Sequence, residues 1–119
     1  MKKLILTLVF VMTTVIVYAN SLTVINTTGC TYTIYTDGGW FTIAPSGNAY
    51  YASPYDIGNG TPADGDFHVV KVALGSDATH VTEYGPFTNT SANNHACNGG
   101  SPFNIMWSAA GPNVVVTIY

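Results

Sequence analysis

The stretch Phe67-His68-Val69-Val70-Lys71-Val72-Ala73-Leu74 is the longest run of strand-forming residues outside the apolar N-terminal segment, and it decides the fold class. Its β-branched valines favour a strand. Because apolar residues fall on both alternating faces, we expect both faces to be covered, which is typical of an inner strand. The stretch therefore predicts a sheet within a two-layer protein.

The N-terminal segment has the pattern of a secretory signal peptide. Lys2 and Lys3 precede the apolar run Leu4–Val17, and Val17-Tyr18-Ala19 is a small-residue cleavage site. The apolar run is shorter than the roughly 20 residues that span a bilayer. We predict a signal peptide over residues 1–19, a single domain over residues 20–119, and no transmembrane anchor after cleavage. The predicted location is extracellular or at the cell surface, with a periplasm as the alternative.

Charge disfavours two classes of partner. Without residues 1–19, Lys71 is the one Lys or Arg against six Asp and Glu, a net charge of −5 with neutral histidines. A single cation does not neutralise a run of phosphates, so we expect neither nucleic acid nor anionic lipid as a partner.

Two cysteines, Cys30 and Cys97, remain in the predicted domain. An even count in an exported chain predicts one disulfide. By closing a long loop, this bond is expected to stabilise the domain by roughly 4 kcal/mol.

Short alternating segments and frequent turn residues continue along the chain, and no helical periodicity is present. This pattern predicts an all-β, two-layer antiparallel β-sandwich, Greek-key or jelly-roll-like, of about seven to eight strands. A closed barrel is the alternative. The predicted strands cover residues 21–26, 30–35, 40–43, 48–52, 67–74, 79–84, 103–107 and 114–119.

The register of two neighbouring strands depends on the turn Gly75-Ser76-Asp77. We expect a three-residue turn, which sets Lys71 opposite Val81 and Val69 opposite Glu83. Lys71 and Glu83 would then be diagonal neighbours on one face of the sheet. A four-residue turn would put them on opposite faces.

Two long segments are expected to be loops, residues 55–66 and 85–102. The first contains Asp56, Asp64 and Asp66, whose oxygens are hard ligands suited to Ca²⁺. Such residues also make the ordinary hydrogen bonds of turns. The sequence thus leaves Ca²⁺ as a candidate cofactor and a purely structural role as the alternative.

Aromatic residues are concentrated in one third of the chain. Trp40, Tyr50, Tyr51 and Tyr55, with the nearby Asn59, are candidate ligand-binding residues, because rings beside polar groups can stack on sugars. A core position or a protein interface is the alternative for each ring. Since Tyr50 and Tyr51 are consecutive in a predicted edge strand, their rings must point to opposite faces.

The start of the predicted domain resembles that of thaumatin-like proteins. The shared pattern is the alternating strand at residues 21–26, Cys30, a tyrosine-rich strand, an aromatic strand and Pro45-Ser46-Gly47. The many disulfides of that family are absent, so the resemblance implies no function here.

Known catalytic motifs are absent from the sequence, which favours a protein that is not an enzyme. We expect a secreted or cell-surface β-sandwich with a structural, adhesion or other interaction role, self-assembling through strand edges or binding another protein. Lysines at strand edges discourage such pairing, and the predicted domain has almost none. The alternative is a lectin-like carbohydrate-binding module that uses the aromatic residues.

Overall fold

The computed structural model describes residues 20–119, and the predicted signal peptide lies outside these residues. The described chain is all-β with two short 3-10 helices, and the predicted β-sandwich is confirmed. Its nine strands are β1 (Ser21–Asn26), β2 (Tyr32–Thr36), β3 (Gly39–Ile43), β4 (Asn48–Tyr51), β5 (Val69–Leu74), β6 (Asp77–Thr82), β7 (Thr88–Thr90), β8 (Asn104–Ala110) and β9 (Asn113–Ile118).

The strands form two sheets. The five-stranded sheet has the order β4-β1-β9-β8-β7, and the four-stranded sheet has the order β3-β2-β5-β6. All pairs are antiparallel except β1 and β9, which run parallel. The expected edge position of β4 is therefore confirmed.

The core lies between the sheets, because alternate residues of each strand point inward. The side chains that are at most 1% exposed come from both sheets and the segments beside them. They include Leu22, Val24, Tyr32, Ile34, Phe67, Val70, Val72, Val81, Phe103, Ile105, Val116 and Ile118.

The predicted disulfide is present. Cys30 and Cys97 are joined, with 5.0 Å between their Cα atoms, and the described residues hold no free cysteine. The bond ties the start of β2 to the short helix Ala96–Asn98, which precedes β8.

The stretch on which the prediction rested forms β5, an inner strand between β2 and β6. Val70 and Val72 are fully buried, but Lys71 on the other face is exposed and Val69 is half-buried. The expectation that both faces are covered was wrong. Within the described residues the four-stranded sheet has core on one side only, so its outer face meets solvent.

The predicted register between β5 and β6 was also wrong. The turn has two residues, so Leu74 pairs with Asp77 and Lys71 with His80. Gly75 adopts a positive φ of 62°, which the tight two-residue hairpin turns require and glycine tolerates. The resulting shift moves Glu83 to the face opposite Lys71.

The second predicted loop contains a strand that sequence reasoning missed. Thr88–Thr90 forms β7 and pairs with β8, and the short helix Ala96–Asn98 follows. The three residues of β7 are all polar, so the sequence shows no alternation of apolar and polar residues there. Only the pairing with β8 identifies this segment as a strand.

Candidate functional site

Four side chains form a line across the exposed outer face of the four-stranded sheet, one from each strand. Trp40 of β3 pairs with Tyr35 of β2, Tyr35 pairs with Lys71 of β5, and Lys71 pairs with His80 of β6. We call these four residues the cross-sheet row. Trp40 is 50% exposed and Tyr35 is 45% exposed, so two large rings are open to solvent.

Strand alternation explains why the row points outward. Ile34 and Phe41 are buried in the core, and their neighbours Tyr35 and Trp40 therefore project to the other side. Lys71 Nζ lies 5.6 Å from the centroid of the Tyr35 ring, within the range of a cation–π contact. The row thus combines two exposed rings with the one lysine or arginine of residues 20–119.

The side chain of Asn59 binds the backbone of Trp40 at the edge of β3. Its Oδ1 accepts a hydrogen bond from the Trp40 N–H at 2.8 Å, and its Nδ2 donates to the Trp40 carbonyl at 2.8 Å. Because the backbone of Trp40 faces Asn59, Trp40 and Tyr35 form a non-hydrogen-bonded pair, the type with the closest side chains. Asn59 therefore positions Trp40, and both of its polar atoms are already engaged.

The other predicted ligand-binding aromatics do not join the row. Tyr50 is 64% exposed on the outer face of the opposite sheet. Tyr51 points inward and packs on Phe41, with 4.8 Å between ring centroids. Tyr55 is exposed in the short helix Pro54–Asp56, outside both sheets. The expected opposite orientation of the Tyr50 and Tyr51 rings is confirmed.

Two of the three predicted calcium ligands come together. The ligand atoms of Asp64, Asp66 and His68 lie within 4.8 Å of one another, and Asp56 is not in this group. Asp64 accepts hydrogen bonds from the Asp66 N–H at 2.9 Å and from His68 Nε2 at 2.9 Å. Asp66 Oδ1 accepts from the Asn20 N–H at 3.1 Å. These oxygens already have partners within the protein.

The histidine of this cluster is held between two carboxylates. His68 Nδ1 contacts Glu83 Oε1 at 2.5 Å, and Nε2 contacts Asp64. The hydrogen bond to Glu83 and then that to Asp64 raise the pKa of His68 to about 9. The Asp66 N–H and then His68 lower the pKa of Asp64. His68 is thus a cation at neutral pH, and its charge offsets part of the negative charge of Asp64 and Glu83.

A second histidine–carboxylate pair lies at the other end of β6. Asp77, 5% exposed, accepts hydrogen bonds from the N–H groups of Ala92 and Asn93 and from His95 Nε2 at 2.8 Å. Burial acts to raise the pKa of Asp77, but the His95 and backbone hydrogen bonds outweigh it and the pKa is lowered. The nearby Ser91 Oγ accepts from a backbone N–H and donates to a carbonyl. This pair fastens the second long segment to β6.

A cavity of about 370 Å³ opens at one end of the sandwich. Its floor contains Trp107 and Val114, which are almost fully buried, and Phe87 is half exposed beside it. Asn20 and Glu83 supply its polar groups. Asn20 is itself bound to Phe67, and Glu83 to His68, so both polar groups are engaged.

Sequence reasoning missed the cross-sheet row as a unit. It singled out Trp40 but did not place Lys71 beside the rings, because the pairing of β2 with β5 has no local signal. It did not place His80 opposite Lys71, because the predicted register of β6 was wrong by one residue. The dipeptide Gly75-Ser76 was the available signal, since a glycine-first two-residue turn would have placed His80 opposite Lys71.

Comparisons with protein-family models, with curated proteins and with solved structures find no match to this chain. Across residues 20–119, none of the helices has the length and apolar character needed to cross a membrane.

Proposed function

We propose that the protein is a non-enzymatic interaction module, secreted or held at the cell surface, and that the cross-sheet row binds a carbohydrate chain. The observation that carries the proposal is the direct cross-strand pairing of two exposed rings, Trp40 and Tyr35. Adjacent rings on a flat sheet form a platform on which the apolar faces of sugars can stack. Desolvating these rings on binding supplies the favourable free energy.

Polar groups beside the rings supply hydrogen bonds to hydroxyls. Lys71 and His80 continue the row, and Thr33 and Thr42 lie on the same face as a neighbouring cross-strand pair. Four strands spaced by about 4.8 Å give a surface of about 14 Å across the row, which suits a short oligosaccharide. The net negative charge of the predicted domain favours a neutral glycan over an acidic one.

Two further features support the proposal of a secreted or cell-surface protein that is not an enzyme. The disulfide favours an oxidising compartment, in keeping with the predicted signal peptide. The Asp77 and His95 side chains, the most enzyme-like pair in the described residues, bind each other and backbone groups of one segment. That use of Asp77 and His95 is structural, which favours binding over catalysis.

Glycan-array screening followed by calorimetry tests the proposal. The wild type is expected to bind neutral oligosaccharides, and Trp40→Ala to lose at least tenfold in affinity, since stacked rings carry about 1 to 3 kcal/mol each at interfaces. Tyr50→Ala is the matched control, because Tyr50 is at least as exposed as Trp40 but lies on the other sheet. Tyr50→Ala should bind like the wild type. A wild type that binds no glycan would refute the assignment.

A further inference from the structure

The two sheets have four edge strands, and on three of these at least one outward backbone group is already engaged. Asn59 occupies the edge of β3 at Trp40. The edges of β6 and β7 face each other, and Asn89 Nδ2 of β7 donates to the His80 carbonyl of β6 at 3.0 Å. The Thr82 N–H at the end of β6 donates to the Pro86 carbonyl at 3.3 Å. An edge whose outward groups are partly engaged accepts a further strand less readily than an open one.

The edge of β4 is different. The Asn26 N–H donates to the Gly47 carbonyl at 2.9 Å, which marks Asn26 and Gly47 as a hydrogen-bonded pair. Because hydrogen-bonded and non-hydrogen-bonded pairs alternate in an antiparallel ladder, the backbone groups of Asn48 and Tyr50 point away from β1. Among the hydrogen bonds of residues 20–119, none engages these outward groups.

Charge favours a second copy of this chain as the partner at this edge. The five strands of the sheet that ends in β4 contain no Asp, Glu, Lys, Arg or His. Elsewhere the chain carries six Asp and Glu, so two copies repel each other where those residues approach. The β4 edge is therefore a place where two copies can approach with little repulsion.

We infer that β4 pairs antiparallel with β4 of a second copy of this chain across a twofold axis, which joins the two five-stranded sheets into one. This association goes beyond glycan binding and does not depend on it, because the cross-sheet row lies on the other sheet.

The sequence of β4 is self-complementary in one register. With the axis at Ala49, the outward backbone groups of Asn48 pair with those of Tyr50 of the partner subunit. The two Ala49 residues then form the close, non-hydrogen-bonded pair, for which a methyl side chain is small enough. Tyr51 lies opposite Gly47 of the partner subunit, which has no side chain to obstruct the ring.

Sedimentation equilibrium over a concentration series up to about 1 mM tests the association, since an interface of one short strand is expected to be weak. The wild type is expected to dimerise. Tyr50→Lys should weaken the dimer at least tenfold, because it places a cation beside the twofold axis on an apolar edge. Ser108→Lys is the matched control, since Ser108 is exposed on the same face of the sheet in β8, away from β4.

Cross-linking tests the register independently. Ala49→Cys should form an intermolecular disulfide under mild oxidation, because a non-hydrogen-bonded antiparallel pair has suitable Cα spacing. A wild type that remains monomeric at every concentration overturns the inference and leaves the edge to a strand of another protein. A dimer that survives Tyr50→Lys unchanged, or one without cross-linking at position 49, overturns the assignment to β4. In either case glycan binding by the monomer could still be measured. The test of dimerisation and the test of glycan binding are therefore independent.

Discussion

The side chain of Asn59 binds both the N–H and the carbonyl of Trp40, at 2.8 Å each, and so takes the place of a neighbouring strand at the edge of β3. Asn20 makes the same kind of pairing with Phe67, accepting from its N–H at 2.6 Å and donating to its carbonyl at 3.1 Å. In both cases a primary amide satisfies one donor and one acceptor of the main chain. At Trp40 the amide caps the edge of β3, whereas at Phe67 it pairs with the main chain just before β5.

Replacing Asn59 should therefore open the edge of β3. We expect Asn59→Ala to lower the free energy of unfolding by about 1 kcal/mol, because two exposed hydrogen bonds are exchanged for bonds to water. Urea denaturation measures this loss. Asn94→Ala is the matched control, since Asn94 is exposed and its side chain makes no hydrogen bond within the described residues. Equal stability of the two variants would contradict the edge-capping role.

Removal of the disulfide should destabilise the protein strongly. Cys30 and Cys97 close a loop with a sequence separation of 67, so the Cys30→Ala/Cys97→Ala variant should lose about 4 kcal/mol by the chain-entropy model. Thermal unfolding followed by circular dichroism measures the difference. The wild type unfolded under reducing conditions should match the variant, and a loss much smaller than this would show that the bond contributes little.

Stability should fall as the pH rises from 6.5 to about 9. The pKa of His68 is raised from 6.5 in the unfolded chain to about 9 by Glu83 and Asp64. Its stabilising contribution is complete below pH 6.5 and is lost as His68 deprotonates in the folded state. Because the imidazole is 36% exposed, solvent screening limits the loss to about 1 kcal/mol or less.

Urea midpoints across that pH range measure the His68 effect. His68→Gln should flatten the profile, whereas His80→Gln should keep it, because His80 projects from the other face of the sheet and is not bound to Glu83 or Asp64. A wild type with the same midpoint at both ends of the range would contradict the prediction.

Asp77 should be the most sensitive carboxylate. In Asp77→Asn, an amide N–H₂ would face the N–H groups of Ala92 or Asn93, which now donate hydrogen bonds to the carboxylate. The free energy of unfolding should therefore fall by about 1 to 3 kcal/mol. The local consequence should be faster amide hydrogen exchange at Ala92 and Asn93, which report the release of the segment from β6. Asp56→Asn is the control, because no hydrogen bond to the Asp56 side chain is found in residues 20–119. Unchanged exchange at Ala92 and Asn93 would refute the fastening role.

Pattern alone predicted most of the fold. In the strand predicted at residues 30–35, alternation puts Cys30, Tyr32 and Ile34 on one face, and all three are at most 1% exposed. The predicted pairing of Cys30 with Cys97 is present as well. These features depend on local periodicity or on the only available pairing, and both can be derived from residues in order.

The pattern of residues along the chain did not predict how the side chains of the candidate site are arranged. Trp40 and Tyr50 are both exposed aromatics close in sequence, yet they occupy the outer faces of different sheets because the chain crosses between sheets after β3. Asn59 was predicted to contact a ligand, and the structure binds both of its polar atoms to Trp40. Strand order and loop path determine these relations, and neither has a local signal.

The sequence by itself determined that this chain forms an all-β sandwich with one disulfide, since these follow from alternation, turn residues and the cysteine count. Only the tertiary structure decided that Lys71 lies between Tyr35 and His80 in one row, and that β4 lies at the edge of the five-stranded sheet. The physical reason is that a register shift of one residue reverses a face, and strand order determines which edges stay unpaired.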